Sequence, residues 1–364
     1  MKYTAILLLF LIHVAGVFAQ TAPADHDYTF DVPEGNYKVT VTVGSENRPA
    51  VTMLKAESLR LVVDNIATGK GEFKTMTFTV NKRDTLIYED GKIVDCIIPN
   101  FRDRRVPDWD NWLTFDIVGE ESAVKSLEIE PVEGVTTVYV CGDSTVCDQY
   151  NPPFYSWAQE LPWFFDDKVS VANYAFSGAT STSFINTKKF KKIVGNLNPG
   201  DYVFIEFGHN DEKDRGPGSG AGYNFAHNLK SMIDQVRAKD AIPVILTPTQ
   251  RRNFDAEGRV GDTHKGYVEA AKEVADRENV ACIDLTSMTT RMIQDAGEEG
   301  SWQYFVKGDG THNNEKGAYE ICKLVVKSLI DKDIPLAGHI RNYPESANAN
   351  VVTAVEAPFA FEPL

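Results

Sequence analysis

The sequence predicts two units in tandem, an all-β sandwich followed by an α/β unit built on a parallel sheet. Three observations predict it. From Tyr28 to about Val132 the apolar residues alternate with polar ones in short segments, the period of strands with one buried face. After Glu133-Gly134 apolar strand-like runs alternate with helical stretches, the pattern of a parallel sheet covered by helices. Within that second half, the apolar run Val138–Cys141 breaks abruptly at Gly142-Asp143-Ser144, placing polar residues where α/β folds keep their chemistry, outside the carboxyl end of a strand.

In the first half, Tyr37–Val43, Phe73–Val80, Leu113–Ile117 and Leu127–Ile129 alternate cleanly, with turn signals such as Pro33-Glu34-Gly35 and Asp90-Gly91 between them. Strands with one apolar face need a second sheet to cover it, so an antiparallel sandwich is expected over 21–132. No helix of useful length is visible there. Trp109, Trp112 and Tyr88 fit either a sugar-stacking platform or packing inside and between units.

In the second half, expected over 135–340, the strand candidates are Thr136–Val140, Val169–Asn173, Tyr202–Phe207, Ile242–Leu246 and Ala281–Asp284. Helix candidates include Ser156–Leu161, Phe225–Lys239, Gly266–Glu278 and Asn314–Leu329. Each crossover should be right-handed. Residues 341–364, with Pro358 and Pro363, read as an extended tail.

Residues 1–19 begin with one lysine, continue through an apolar run and end on small Ala19, the pattern of a cleaved signal peptide. A membrane anchor fits less well, because His13 and Gly16 interrupt the run and a span needs about 20 apolar residues. The expected product is secreted or periplasmic, with no membrane span. The net charge of −15, from 37 basic and 52 acidic residues, and the lack of a basic stripe argue against a nucleic-acid partner. Cys96, Cys141, Cys147, Cys282 and Cys322 lack the paired short spacings of a zinc site. No metal or cofactor is called for, and a Cys141–Cys147 bridge across the strand-to-loop corner is not expected.

Four stretches at predicted loops carry the chemistry: Gly142-Asp143-Ser144, Ser177-Gly178, Gly208-His209-Asn210-Asp211 and Asp309-Gly310-Thr311-His312. Alone, Gly-Asp-Ser is a common turn or helix cap. In this order the four form a set. A serine hydroxyl becomes a nucleophile when an imidazole takes its proton, and the imidazole needs an acceptor on its other nitrogen. Ser144, His312 and Asp309 supply the three groups. Charge developing on an attacked carbonyl oxygen needs preset donors, and the Ser144 amide, the Gly178 amide and the Asn210 side chain are candidates. Asp143 is read as ordering the nucleophile turn, and Asp211 as bracing the Asn210 loop. His209 is open to two readings, contact with substrate or a structural bond that holds Asn210. Arg251, Arg252 and His264 fall in a loop on the side where strands end, where a bidentate arginine would suit a carboxylate and a solvated charged loop is the plain alternative.

These blocks resemble the SGNH (GDSL-type) hydrolase superfamily from about Thr136 to Asp331, which implies a flavodoxin-like, three-layer α/β/α fold. Residue by residue, Ser144 matches the nucleophile, Gly178 and Asn210 the oxyanion donors, and Asp309 with His312 the Asp-x-x-His pair. Threonine after Gly142-Asp143-Ser144, His209 in the variable position, and Asp309–Ala318 are similar to the rhamnogalacturonan acetylesterase branch. That resemblance implies an acetylated polysaccharide or oligosaccharide substrate from the plant cell wall. Other acyl esters (xylan acetyl, lipid, peptidoglycan) and a non-catalytic glycan-binding role are the competing readings, the last opposed by intact Ser144, Asn210, Asp309 and His312. The first half resembles galactose-binding-like modules in architecture alone.

Overall fold

The computed structural model describes residues 26–99 and 107–343. The expected leader 1–19 lies outside the described residues, as does the tail beyond Tyr343. The first residues of that tail are docked rather than free. Arg341 N donates to Phe164 O at 2.8 Å, its guanidinium donates to Thr77 O at 2.7 Å, and Asn342 Nδ2 donates to Trp163 O at 2.8 Å.

The first half is a sandwich of antiparallel sheets. Strands β1 (Tyr28–Asp31), β2 (Gly35–Val43), β3 (Ala50–Ala56), β4 (Arg60–Thr68), β5 (Lys74–Lys82), β6 (Leu86–Glu89), β7 (Lys92–Cys96), β8 (Trp112–Val118) and β9 (Val124–Pro131) form a sheet β1-β8-β3-β4, a sheet β5-β2-β9 and a hairpin β6-β7. Alternation decides the three-stranded sheet: Tyr37, Val39, Val41 and Val43 of β2 are buried, and Val39 stands opposite both Phe78 and Ile129. Strands β3 and β4 were not anticipated, for a physical reason. Arg60, Leu61, Val62 and Val63 are all buried, because β4 is covered on both faces and so carries no period of two; β3 is broken by register shifts at Thr52/Leu54 and Leu54/Lys55.

The second half has strands β10 (Thr136–Cys141), β11 (Val169–Asn173), β12 (Tyr202–Glu206), β13 (Ile242–Leu246) and β14 (Ala281–Ile283). They make an all-parallel sheet of order β11-β10-β12-β13-β14, the doubly wound order in which the strand sequence reverses between the first and third strands. Its helices are α1 (Trp157–Glu160), α2 (Ser181–Asn186), α3 (Lys189–Asn196), α4 (Ala226–Arg237), α5 (Tyr267–Arg277), α6 (Leu285–Gly300) and α7 (Glu315–Asp331). Helix α6 escaped the sequence pattern because its buried stripe is only Leu285, Thr289 and Ile293, too narrow and too polar to stand out.

Successive residues of β10 enter different layers. Val138 and Val140 join one buried cluster with Trp157, Phe164 and Val325, while Tyr139 and Cys141 join another with Phe184, Leu229 and Val274. The first cluster does not stop at the unit's edge. It continues into the sandwich through Val39, Leu54, Val63 and Phe115, so the two halves share one core. Among the described residues no disulfide joins the five cysteines.

Candidate active site

The switch point of the sheet lies between β10 and β12, and Ser144 and Asn210 follow those two strands. Gly142 is required at the corner: a Cβ there would lie 2.7 Å from the Val146 side chain. The turn is then closed by Asp143, whose carbonyl accepts from Val146 N (3.1 Å) and Cys147 N (2.8 Å) and whose carboxylate accepts from Thr145 N and Thr145 Oγ1, both at 3.0 Å. Burial raises the Asp143 pKa, and the Thr145 bonds oppose the rise. Ser144 sits on this turn with 8 % exposure.

The loop before α7 brings the other two groups. Asp309 N donates to Val306 O (2.8 Å) and Val306 N to His312 O (3.0 Å), folding the loop on itself. Asp309 Oδ1 accepts from Thr311 N at 2.9 Å and His312 N at 3.1 Å, and Oδ2 lies 2.7 Å from His312 Nδ1. His312 Nε2 lies 2.9 Å from Ser144 Oγ. The network assigns the tautomer: Nδ1–H donates to the carboxylate and Nε2 accepts from the hydroxyl. Burial works against the Asp309 charge, but the bonds from His312 and Thr311 outweigh it and hold the carboxyl below the usual carboxylate range. The Phe154 ring and the imidazole pack in a T shape, with centroids 5.7 Å apart.

The loop's own position comes from Asn313 and Asn314. Asn313 Nδ2 donates to Tyr304 O, Tyr155 N donates to Asn313 O, and Asn314 caps α7 by accepting from Gly317 N at 3.0 Å. Gly317 passes so close to Tyr304 that an added Cβ would lie 1.9 Å from its carbonyl oxygen.

Two further loops adjoin. Phe176 N donates to Gly142 O at 3.1 Å, setting the Gly178 turn (φ +85°) beside the serine turn. Asn210 Nδ2 donates to Ala179 O at 3.1 Å and its oxygen accepts from Lys213. Asp211 reaches across to the start of α2, accepting from Ser181 N at 2.9 Å and Ser181 Oγ at 2.5 Å; burial pushes its pKa up to about 6.

Two expectations need correction. His264 is fully buried, with Nδ1 at 3.2 Å from Glu212 and Nε2 at 2.9 Å from Thr249 O, so it has no face for a substrate. His209 is 2 % exposed, and neither ring nitrogen has a hydrogen-bond partner among the described residues. Its ring lies edge-on to His264, centroids 4.7 Å apart, and 3.8 Å from Asp143. Burial first, then the neighbouring His264 and Arg251, hold it well below the usual imidazole range. What tethers this segment is the His209 carbonyl, which accepts from Arg251 at 3.2 Å.

Arg251 is also paired with Glu212 at 2.6 Å. Arg252 donates to Ser301 Oγ and Glu298 O and lies 3.8 Å over the Trp302 ring. Both still line a cavity of about 370 Å³ beside Gly310 and Thr311. Trp109 is a packing residue, held by Tyr174 (5.2 Å, edge-on), Lys189 and Arg83.

Sequence reasoning missed Glu206, Asp148 and Gln149. Glu206 ends β12 and accepts from Trp157 Nε1 (2.9 Å) and Thr249 N (3.2 Å); burial and then the Asp143 charge raise its pKa far above the usual value. Gln149 Nε2 donates to the carbonyl of Ser144 itself at 2.7 Å. No local pattern marks any of the three side chains.

The family described as GDSL-like lipase/acylhydrolase matches residues 140–319. Rhamnogalacturonan acetylesterase RhgT of Bacillus subtilis is 35 % identical over 218 residues, 56 % of this chain and 93 % of that protein. The uncharacterized esterase YxiM of the same organism is 29 % identical over 314 residues, 84 % of this chain and 74 % of its own length. The crystal structure of YxiM matches with a TM-score of 0.54 at 27 % identity, covering 84 % of this chain and 80 % of that one. The chain therefore belongs to the SGNH, or GDSL-like, lipase/acylhydrolase family of carboxylic ester hydrolases, in its rhamnogalacturonan acetylesterase-like branch.

Proposed function

We propose that the protein is an exported serine esterase that removes O-acetyl groups from rhamnogalacturonan-type pectic polysaccharide through an acyl-enzyme. One observation carries the chemistry: a single imidazole, that of His312, lies within hydrogen-bond distance of both Ser144 Oγ and the Asp309 carboxylate. The choice of substrate is supported by the likeness to RhgT over 93 % of that protein. Export is supported by the leader-like pattern of residues 1–19.

In this scheme Ser144 Oγ attacks the acetyl carbonyl carbon while its proton passes to His312 Nε2. The oxyanion is met by the amides of Ser144 and Gly178 and by the Asn210 side chain. The carbon–oxygen bond to the sugar breaks, the sugar oxygen takes the proton from His312, and the acetyl group stays on Ser144. Water then attacks, giving its proton to His312, and acetate leaves as Oγ regains a proton. Asp309 keeps Nδ1 protonated and stabilises the imidazolium in each half.

The test is acetate release from acetylated rhamnogalacturonan and, in parallel, acetylated xylan, by the parent and by Ser144→Ala. Release from the pectic substrate, abolished in the variant, is the expected result. Release from xylan alone would overturn the substrate, and turnover by Ser144→Ala would overturn the nucleophile.

A further inference from the structure

The loop that follows Ser144 is held from outside its own unit. Asp148, four residues on, is buried. Its Oδ2 accepts from Arg60 Nε and from Arg83 Nη2, both at 2.9 Å, and its Oδ1 accepts from Asn173 Nδ2 at 2.8 Å. Arg60 opens β4 and Arg83 follows β5, so both guanidiniums come from the sandwich, and both side chains are 1 % exposed. Asn173, at the end of β11, also donates to Val146 O at 2.8 Å.

A second route reaches the same loop. Gln159 Nε2 on α1 donates to Ser58 O of the sandwich (2.7 Å) and to Gln149 O (2.8 Å), and Gln149 Nε2 donates to Ser144 O. Behind the loop the two routes meet at Asp108, which accepts from Ser58 N and Arg83 Nη2, each at 2.9 Å.

Buried ion pairs of this kind add little net stability, because desolvation offsets the attraction; here their three bonds to Asp148 tie the loop to the sandwich and to β11. A sugar-binding module on a tether would meet its neighbour through a modest, more polar interface. Here the sandwich instead shares a core with the α/β unit and places two buried cations on the nucleophile loop.

We propose that the sandwich is a working part of the esterase site. Arg60 and Arg83, acting through Asp148, and Ser58, acting through Gln159 and Gln149, fix the loop that carries Ser144, which makes the two arginines positioning residues for the nucleophile. The inference rests on Ser144 being that nucleophile.

The experiment uses the full chain and compares the parent with Arg83→Met, Arg83→Lys, Asp148→Asn, Ser144→Ala and Lys192→Met. Lys192 is the control: it is buried on α3 and paired with Glu34 (2.8 Å) and Asp84 (2.9 Å) of the sandwich, a cross-unit ion pair that does not involve residues 144–149. For each variant one measures melting temperature, kcat and KM for p-nitrophenyl acetate, and the rate at which an organophosphonate probe labels Ser144. Arg83→Met should lower kcat and the labelling rate about 10- to 100-fold, the scale of a misplaced reacting group, with KM nearly constant. Arg83→Lys should restore part of the loss, and Lys192→Met should melt earlier yet keep kcat. Parental kcat in folded Arg83→Met, or equal kcat losses in Arg83→Met and Lys192→Met, would overturn the proposal. If Arg83→Met does not fold, Arg83→Lys and Asp148→Asn carry the comparison, and parental kcat in both overturns it. Turnover by Ser144→Ala would instead remove the nucleophile assignment, whatever the arginine variants do.

Discussion

His312 Nε2 stands 2.9 Å from Ser144 Oγ although the two lie 168 positions apart in sequence. That contact works only if the proton on the ring is at Nδ1, and the Asp309 carboxylate 2.7 Å away is what keeps it there. In Asp309→Asn the amide can turn its NH₂ toward Nδ1, moving the ring proton to Nε2, where it faces the hydroxyl. We expect kcat to fall roughly 10³- to 10⁴-fold with KM little changed. The Asp309 pKa is lowered in the folded protein, so its charge persists as the pH falls and is lost only below the ordinary carboxylate range. Asp309→Asn should therefore show a large deficit at about pH 6 as well as at about pH 8. Steady-state kinetics at both values check it, and a deficit that vanishes at the lower pH would count against the assignment.

Asn210 in the free enzyme donates one amide hydrogen to Ala179 O and has a second to offer. If that second hydrogen meets the oxyanion, Asn210→Ala should cost on the order of 10²–10³ in kcat. The bond to Ala179 alone would cost stability and not turnover. Melting temperature measured beside kcat separates the two, and unaltered kcat in a folded variant would remove Asn210 from the scheme.

The site was legible where chemistry is local. Asp309 and His312 lie in one short loop, and Ser144, Gly178 and Asn210 each follow a strand whose apolar run is plain in the sequence. The support for that site was not legible. Asp148 meets Arg60 across 88 positions and Gln159 meets Ser58 across 101, and a polar residue in a loop looks the same in sequence whether water or a buried arginine takes it. The sandwich was recognised from β2, β5, β8 and β9, whose outer faces are polar. Strand β4 lost its alternation because the α/β unit covers it, so one of the elements that join the two halves was hidden from the pattern. His209 and His264 misled for a related reason, since the buried pair they form has no signal apart from two histidines in loops.

Gly317 tests how the histidine loop is anchored. It is the third residue of α7, its N–H is capped by Asn314, and an added Cβ would press on the Tyr304 carbonyl. Backbone cannot yield as the far end of a side chain can. Gly317→Ala should therefore push α7 away from 301–305 and lower stability by about 1–3 kcal/mol, as overpacking does. Because His312 lies just before this helix, kcat should fall as well. Urea unfolding and kinetics on the same preparation check both, and a variant with parental stability would show that the contact can relax at no cost.

Glu160 gives the protein a pH dependence unrelated to catalysis. It ends α1 fully buried, with Oε1 lacking a hydrogen-bond partner among the described residues. Burial, followed by the charges of Glu315 and Asp64 against the opposing pull of Lys55, pushes its pKa up to about 8. An acid whose pKa is raised on folding binds its proton more tightly in the native state. Its stabilising contribution is complete below the ordinary glutamate value of about 4.3 and is lost as pH rises toward the folded value. Glu160→Gln is uncharged at every pH and has no such proton to lose. The variant should gain on the parent as pH rises, by on the order of 1–3 kcal/mol between about pH 5 and about pH 9. Glu57, pushed up to about 7, and Asp211, to about 6, slope the same way in both proteins and so cancel in the difference. Urea unfolding of parent and variant across that range measures it directly, and two parallel curves would mean that Glu160 is ionised in the native state and that Lys55 already answers its charge.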